Sequence, residues 1–241
     1  MLVLDYANQI FSLSEELLDA LGDRPNPNAL RVQIGIVDQM PQKVSQRLLA
    51  EIFKYPGKVL PLVVRGPLTA LLNDLRSHTL DLVLSNEDVP LQESAEFIHA
   101  TVESLPVVFV AAPHLAKRVK KFPEDLSEIP ILLPGSTNPI RDSFEHFLNR
   151  HNVTLQIAGE IRDNDLLRWL ALDGVGATPL NQIDVEEDLR SGCLVRLHKR
   201  PTGIVNTIWL ISRKRHHLNP IAKSLLSTFK LKTRHERVKG L

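Results

Sequence analysis

The stretch LRVQIGIVDQMPQKVSQRLLAEIF, Leu30 to Phe53, decides the fold. Leu30, Val32, Ile34 and Ile36 recur with the period of two that a strand requires, and Pro41 follows the polar loop Asp38-Gln39-Met40, where a proline suits the first turn of a helix. Val44, Leu48, Ile52 and Phe53 then fall at helical spacing. A strand running straight into a helix opens a βα unit. The same grammar repeats at once: Val59 to Val64 reads as a strand, Arg65-Gly66-Pro67 as a turn, Leu68, Leu71, Leu72 and Leu75 as a helix face, and Leu80 to Leu84 as a buried strand. Open parallel sheets built this way bind ligands beyond the carboxyl ends of their strands, where helix amino termini also point. Asp38, Gln39, Met40, Arg65, Gly66, Pro67, Ser85 and Asn86 are therefore the first candidates for a binding site.

Upstream, residues 3 to 21 read as one amphipathic helix, with Val3, Ala7, Ile10, Ser14, Leu17 and Leu21 on a heptad seam and Gly22 as its stop. The proline-bearing linker Asp23 to Asn28 follows. The wide apolar face outside that linker points to a helix for self-association or connection. Downstream, Phe97 to Val102 and Leu105 to Ala111 read as two strands in line, broken at Glu103-Ser104, which suits a chain crossing from one lobe to another. The second lobe then offers a basic helix from Pro113 to Lys121 and a strand from Ile129 to Leu133. The glycine- and hydroxyl-rich turn Pro134 to Pro139 opens a helix to Arg150, and a strand runs from Leu155 to Ile161. Asp163 or Asn164 caps a helix that ends at Gly174, and Val175 to Pro179 is a buried strand. A helix over 184–191, strands over 194–197 and 205–212, and a last helix from Pro220 to Leu231 complete the pattern, before a basic tail.

Composition narrows the function classes. Of 241 residues, 43% are hydrophobic and 24% charged, an ordinary globular balance, and a net charge of +1 is not that of a free-standing nucleic-acid binder. The single cysteine, Cys193, excludes an internal disulfide and fits a reducing compartment. No apolar run approaches the roughly 20 residues that span a bilayer, and no secretory signal opens the chain, so a cytoplasmic protein without membrane contact is expected. No nucleotide-binding loop, nucleophile elbow or metal-ligand spacing stands out, so a binding module without metal or cofactor is expected rather than an enzyme.

The chain resembles the effector-sensing portion of LysR-type transcriptional regulators. DYANQIFSLSEELLDAL is similar to that family's linker helix, ALRVQIGIVDQMPQKVSQRLLAEI to the first strand and helix of its regulatory domain, and RGPLTALLNDLRSHTLDLVLSN to its second helix and following strand. LALDGVGATPL resembles the strand entry of its second subdomain and NPIAKSLLSTF its closing helix. The wording around Tyr6-Ala7, Phe11-Ser12-Leu13 and Glu16-Leu17-Leu18-Asp19, with LLPGS, is most similar to the subfamily that activates a sodium/proton antiporter gene.

The resemblance implies an α/β fold of two Rossmann-like subdomains, like type 2 periplasmic binding proteins, preceded by a linker helix. On this reading 1–22 is the linker and dimerisation helix, 29–103 with 214–232 form subdomain I, 104–213 form subdomain II, and 233–241 are a basic tail. A small-molecule or ion effector is expected in an interlobe cleft, with Ser136, Thr137, Asn138, Asp163, Asn164, Thr178 and Pro179 opposite the residues of the first lobe. Arg65 stands where the family often has small hydroxylated residues; a cation there suits an anionic effector and weakens direct sodium binding at that lip. The other implied partners are further copies of the chain, as dimer or tetramer, and DNA. DNA would be reached only through a winged helix-turn-helix that this chain does not contain. A stand-alone solute-binding protein of the same fold is the alternative.

Overall fold

The computed structural model describes Ile10, Ser14 and residues 29–214 and 218–230. The expected helix over 3–21 and the basic tail lie outside the described residues, apart from Ile10 and Ser14, which are helical and exposed. The chain divides into two compact units: the described parts of 1–40, 44–102 and 208–231, and residues 41–43 with 103–207.

In chain order the elements are β1 (Ala29–Val37), α1 (Gln42–Phe53), β2 (Lys58–Gly66), α2 (Leu68–Arg76), β3 (Leu82–Ser85), β4 (Phe97–Ala111), α3 (Pro113–Ala116), β5 (Pro130–Pro134), α4 (Pro139–Arg150), β6 (Gln156–Ile161), α5 (Asn164–Leu172), β7 (Thr178–Asn181), α6 (Gln182–Ser191), β8 (Val195–Arg196), β9 (Val205–Arg213) and α7 (Pro220–Thr228). A short 3-10 turn, Glu124–Glu128, precedes β5.

In the first unit β1 is the central strand. It pairs in parallel with β2, from Ala29↔Lys58 to Val37↔Gly66, and with β3 at Ile34↔Leu82 to Ile36↔Leu84. Covered on both sides, β1 buries Val32, Ile34, Ile36 and Val37, each worth roughly 1.5–3 kcal/mol of transfer free energy. Gly35 lets α2 lie close on the sheet, because a Cβ there would meet Leu80 Cδ1 at 2.8 Å and Leu71 Cδ2 at 2.9 Å. Below the sheet, Asp81 accepts from the Gln33 amide at 2.9 Å and from Asn219 Nδ2 at 3.1 Å, and Asn219 caps α7 by accepting from the Ile221 amide at 3.0 Å. One carboxylate thus ties the closing helix to the first strand.

The second unit repeats the order strand, helix, edge strand, helix, return strand. β5 pairs in parallel with β6, and on its other side the Leu132 amide donates to the Ala177 carbonyl at 2.8 Å. β7 and β8 pair antiparallel with β4. The unit's mostly aliphatic core holds one aromatic cluster: the Phe109 ring lies 5.0 Å from Phe144, 5.1 Å from Phe122 and 5.8 Å from Phe147, and each such contact adds about 0.5–1.5 kcal/mol beyond buried area.

Several boundaries differ from expectation. β4 runs unbroken through Glu103-Ser104, because the Ser104 hydroxyl shares a hydrogen bond of 3.1 Å with Thr207 on the neighbouring strand instead of ending the pairing. The basic helix stops at Ala116. The strand expected from Val175 begins at Thr178, because α5 ends in a Schellman motif: the Gly174 amide donates to Ala171 and the Val175 amide to Leu170, with Gly174 at φ +77.

Candidate functional site

The register of the first unit brings three sequence-distant segments together. Ile36 lies level with Arg65 on β2 and with Leu84 on β3, so the turns that follow, at Asp38, Pro67 and Asn86, leave the sheet side by side at its carboxyl edge. Arg65 Nη1 donates to the Asp38 carbonyl at 3.2 Å, which fixes the first turn against the second. The guanidinium is otherwise exposed and has no acidic partner among the described residues. Pro67 is the N-cap of α2 and offers no side-chain acceptor to the helix amides behind it. An exposed cation and an uncapped helix start, two features that favour an anion, thus stand together at this edge, where Asp38 also belongs.

The other candidates in this unit have different surroundings. Gly66 and Gln39 are half-buried. Met40 is buried, and its amide closes the turn on the Val37 carbonyl at 3.1 Å. The Ser85 hydroxyl donates to the Glu87 carbonyl at 2.6 Å and accepts from the Glu87 amide at 2.9 Å, so it is occupied in shaping its own turn. Asn86 is 3% exposed, and neither Oδ1 nor Nδ2 has a hydrogen-bond partner.

In the second unit the candidates are bound largely to one another and to the backbone. Asn138 accepts from the Ile140 amide at 3.0 Å, capping α4, and donates to Asn164 Oδ1 at 3.2 Å. Asp163 accepts from the Asp165 and Leu166 amides at 2.8 and 2.9 Å, capping α5. The Ser136 amide donates to Glu160 Oε1 at 3.1 Å, so that anchor for an anion is already taken by a carboxylate. Ser136 and Thr137 are exposed, while Thr178 and Pro179 are buried at the start of β7. The Thr178 hydroxyl, in a residue 1% exposed, has no partner.

Sequence reasoning missed a polar seam beside these residues. Asn206 Nδ2 donates to Asn181 Oδ1 at 3.0 Å, both side chains being buried. Asp184, in the first turn of α6, has its carboxyl pushed up to about 6 by burial, with Asp165 adding to the shift and the Asn181 side chain opposing it. Arg168 grips Asp188 with two bonds of 2.6 and 2.8 Å. Arg162, exposed just past β6, packs its stem on Gly135, where a Cβ would meet its Cγ at 2.7 Å. One hint was readable: Arg162 follows β6 much as Arg65 ends β2, and the two strands hold the same place in the repeated unit. No group of acidic, histidine or cysteine side chains among the described residues could hold a metal ion.

Residues 26–232 match the model of the LysR substrate binding domain. The chain belongs to the LysR family. It is 27% identical over 222 residues to the transcriptional regulator CbbR of Rhodospirillum rubrum, covering 92% of this chain and 72% of that protein. It is 26% identical over 169 residues to the transcriptional activator NhaR of Escherichia coli K12, covering 69% of this chain and 54% of NhaR. In fold it is similar to the regulatory domain of CcmR from Synechocystis PCC6803 in complex with 2-PG, with a TM-score of 0.65 at 18% identity, covering 86% of this chain and 98% of that one. The expected α/β class, with the architecture of a LysR effector-binding domain, is thereby borne out. These sequence relatives are transcriptional regulators, which favours a regulatory domain over a stand-alone solute-binding protein. No helix among the described residues is long and apolar enough to cross a membrane.

Proposed function

We propose that this LysR domain binds a small anionic effector at the carboxyl ends of β1, β2 and β3, and that binding alters how a DNA-reading part of the regulator holds its operator. The observation that carries the reading is Arg65, an exposed guanidinium bonded to the Asp38 carbonyl and in no ion pair among the described residues, beside the uncapped start of α2. The chemistry asked of the protein is recognition alone, so the domain works as a binding module and not as an enzyme.

Two further parts of the reading have their own support. The likeness to NhaR supports a place near the activators of a sodium/proton antiporter gene, with an ion as the second effector class. The cation at Arg65 opposes a sodium ion at that particular edge. Self-association is supported by β2, an edge strand whose Leu60, Leu62, Val63 and Val64 are all exposed, since a long apolar edge left open invites pairing with another chain. A second copy of the chain is the occupant that fits an oligomeric regulator.

The test is a thermal-unfolding screen of small carboxylates, phosphates and halides, with sodium and potassium salts of each anion, on the wild-type chain and Arg65→Gln. The reading expects stabilisation that follows the anion and not the cation, with affinity at least tenfold weaker in Arg65→Gln and oligomeric state unchanged. Stabilisation that follows sodium, or an Arg65→Gln chain that binds as well as wild type, removes the anionic effector from this edge.

A further inference from the structure

We infer that the second unit carries a basic face that holds the phosphate backbone of duplex DNA. This goes beyond the expectation that DNA is reached only through a winged helix-turn-helix, and it does not depend on the effector edge. The face is built from two segments distant in sequence. One continues from α3 and holds Lys117, Lys120 and Lys121; the other runs from β8 and holds Arg196, Lys199 and Arg200; all six are exposed. A net charge of +1 over the whole chain conceals this concentration.

The fold brings the two segments together. β8 pairs antiparallel with the end of β4, at Ala111↔Val195 and Val110↔Arg196, and α3, which follows β4 directly, packs on β8. Further along both segments the Phe122 ring lies 5.2 Å from the His198 ring, and the two rest on Phe109 at 5.1 and 5.9 Å. His198 is fixed there by the Phe109 amide and the Arg200 carbonyl. Lys120 and Lys121 come just before Phe122, and Lys199 and Arg200 just after His198. A ring contact on the inside therefore sets exposed cations of the two segments beside one another.

Surface cations elsewhere have acidic partners, as Lys43 has Glu187 at 2.9 Å, Lys54 has Glu51 at 2.7 Å and Arg190 has Glu186 at 3.3 Å. Among the described residues the six of this face form no ion pair and no side-chain hydrogen bond. Asp125 is the acid set nearest to them in the chain fold, and its carboxylate accepts from the Lys120 and Lys121 amides at 2.8 Å each, so it shapes the backbone and makes no ion pair with either ammonium group. Like charges gathered in this way repel one another, most of all within the Debye length of about 8–10 Å, and nothing in the unit offsets that repulsion. A polyanion does. Duplex DNA carries one negative charge per about 1.7 Å of its axis, and a protein that neutralises its phosphates releases condensed counterions, so separate lysines and arginines hold it without a preformed pocket. Cations spread over two segments suit a line of phosphates better than one small anion. The sequence relatives are transcriptional regulators, which makes DNA the polyanion at hand.

The test is fluorescence anisotropy of a labelled duplex titrated with the full 241-residue chain, at sodium chloride concentrations from about 50 to 200 mM. Wild type is expected to bind duplexes of unrelated sequence alike, with log affinity falling against log salt at a slope of about −4 to −5. Lys120→Gln with Lys121→Gln and Lys199→Gln is expected to bind about tenfold or more weakly, with a slope shallower by about 2–3. The control, Lys54→Gln with Lys58→Gln and Lys223→Gln, removes as many exposed cations from the first unit and is expected to bind as wild type does. Both sets lie on the surface, so both should keep the wild-type unfolding midpoint. Polyglutamate of matched charge is expected to displace the duplex about tenfold less well than unlabelled duplex does, because its charge is less dense. A wild-type chain that leaves the duplex free, or a Lys120, Lys121 and Lys199 variant that binds like the control, overturns the inference; in the second case another basic segment carries the binding. Polyglutamate that competes as well as duplex also overturns it and makes an acidic protein the partner. Neither set of substitutions includes Arg65, so each of these outcomes leaves the effector reading where it stands.

Discussion

At His198 the main chain decides the protonation state. Its Nε2 accepts from the Phe109 amide at 3.2 Å and its Nδ1 donates to the Arg200 carbonyl at 2.7 Å, so the ring is held neutral in one tautomer. Burial also pushes its pKa below the usual 6.5. The unfolded ring takes up a proton more readily than the folded one, so the stability His198 contributes is present above about pH 6.5 and is lost as the pH falls below it. His198→Ala should cost about 2–4 kcal/mol at pH 7.5 and less at pH 5, measured by urea unfolding at both. Asp184 carries the opposite sign. Its carboxyl is raised from 3.8 to about 6, so ionising it in the fold is unfavourable above pH 6, and the penalty disappears as the pH falls toward 4. Asp184→Asn should therefore gain up to about 2–3 kcal/mol at pH 7.5 and nothing at pH 4, and a gain independent of pH would show that the carboxyl is not perturbed in this way. Arg168 differs from both, because its value lies in what it leaves behind. Arg168→Ala strands the Asp188 carboxylate, which is 8% exposed, and should cost about 3–5 kcal/mol, whereas the double variant Arg168→Ala with Asp188→Ala should recover much of that loss.

At the scale of elements, periodicity and caps carried most of the reading. The β1-α1-β2-α2-β3 start was legible because its apolar positions alternate and then step by helical turns, and Asp163 was legible as a cap from its place before an apolar run. What was not legible depended on neighbours absent from local sequence. Glu103 and Ser104 look like a break until the adjacent strand supplies Thr207, and Val175 looks like a strand start until the Gly174 motif consumes it. Gly174 also gives an element-scale prediction. Its φ of +77 and a Cβ position 2.2 Å from His114 Cε1 make Gly174→Ala unfavourable by about 1–3 kcal/mol, read as a fall of several degrees in the unfolding midpoint. Adding His114→Ala should relieve only the steric part. For β2, Leu62 is 56% exposed on an edge strand, so Leu62→Lys should leave the midpoint nearly unchanged. It should also shift the chain toward monomer by light scattering, and an unaltered mass would take this edge out of self-association.

At the scale of the whole molecule, the order of elements was readable and the chemistry of the candidate site only in part. The sequence named the turns beyond parallel strands, and the register of β1 with β2 and β3 brings three of them, at Asp38, Pro67 and Asn86, to one edge. It could not rank those residues. Ser85 and Asn86 are adjacent and both polar, yet one is consumed by its own turn and the other is left without a partner, a difference set by side-chain geometry after folding. The candidates of the second unit are likewise mostly occupied as caps, which no spacing rule separates from ligand contacts. The account therefore rests on where a bound effector lies. The most direct measurement is a crystal structure of the chain with whichever acid gives the largest thermal shift. The account predicts its anionic group on the Arg65 guanidinium, at the carboxyl ends of β1, β2 and β3. Density for the ligand elsewhere, with Arg65 left in solvent, would contradict it.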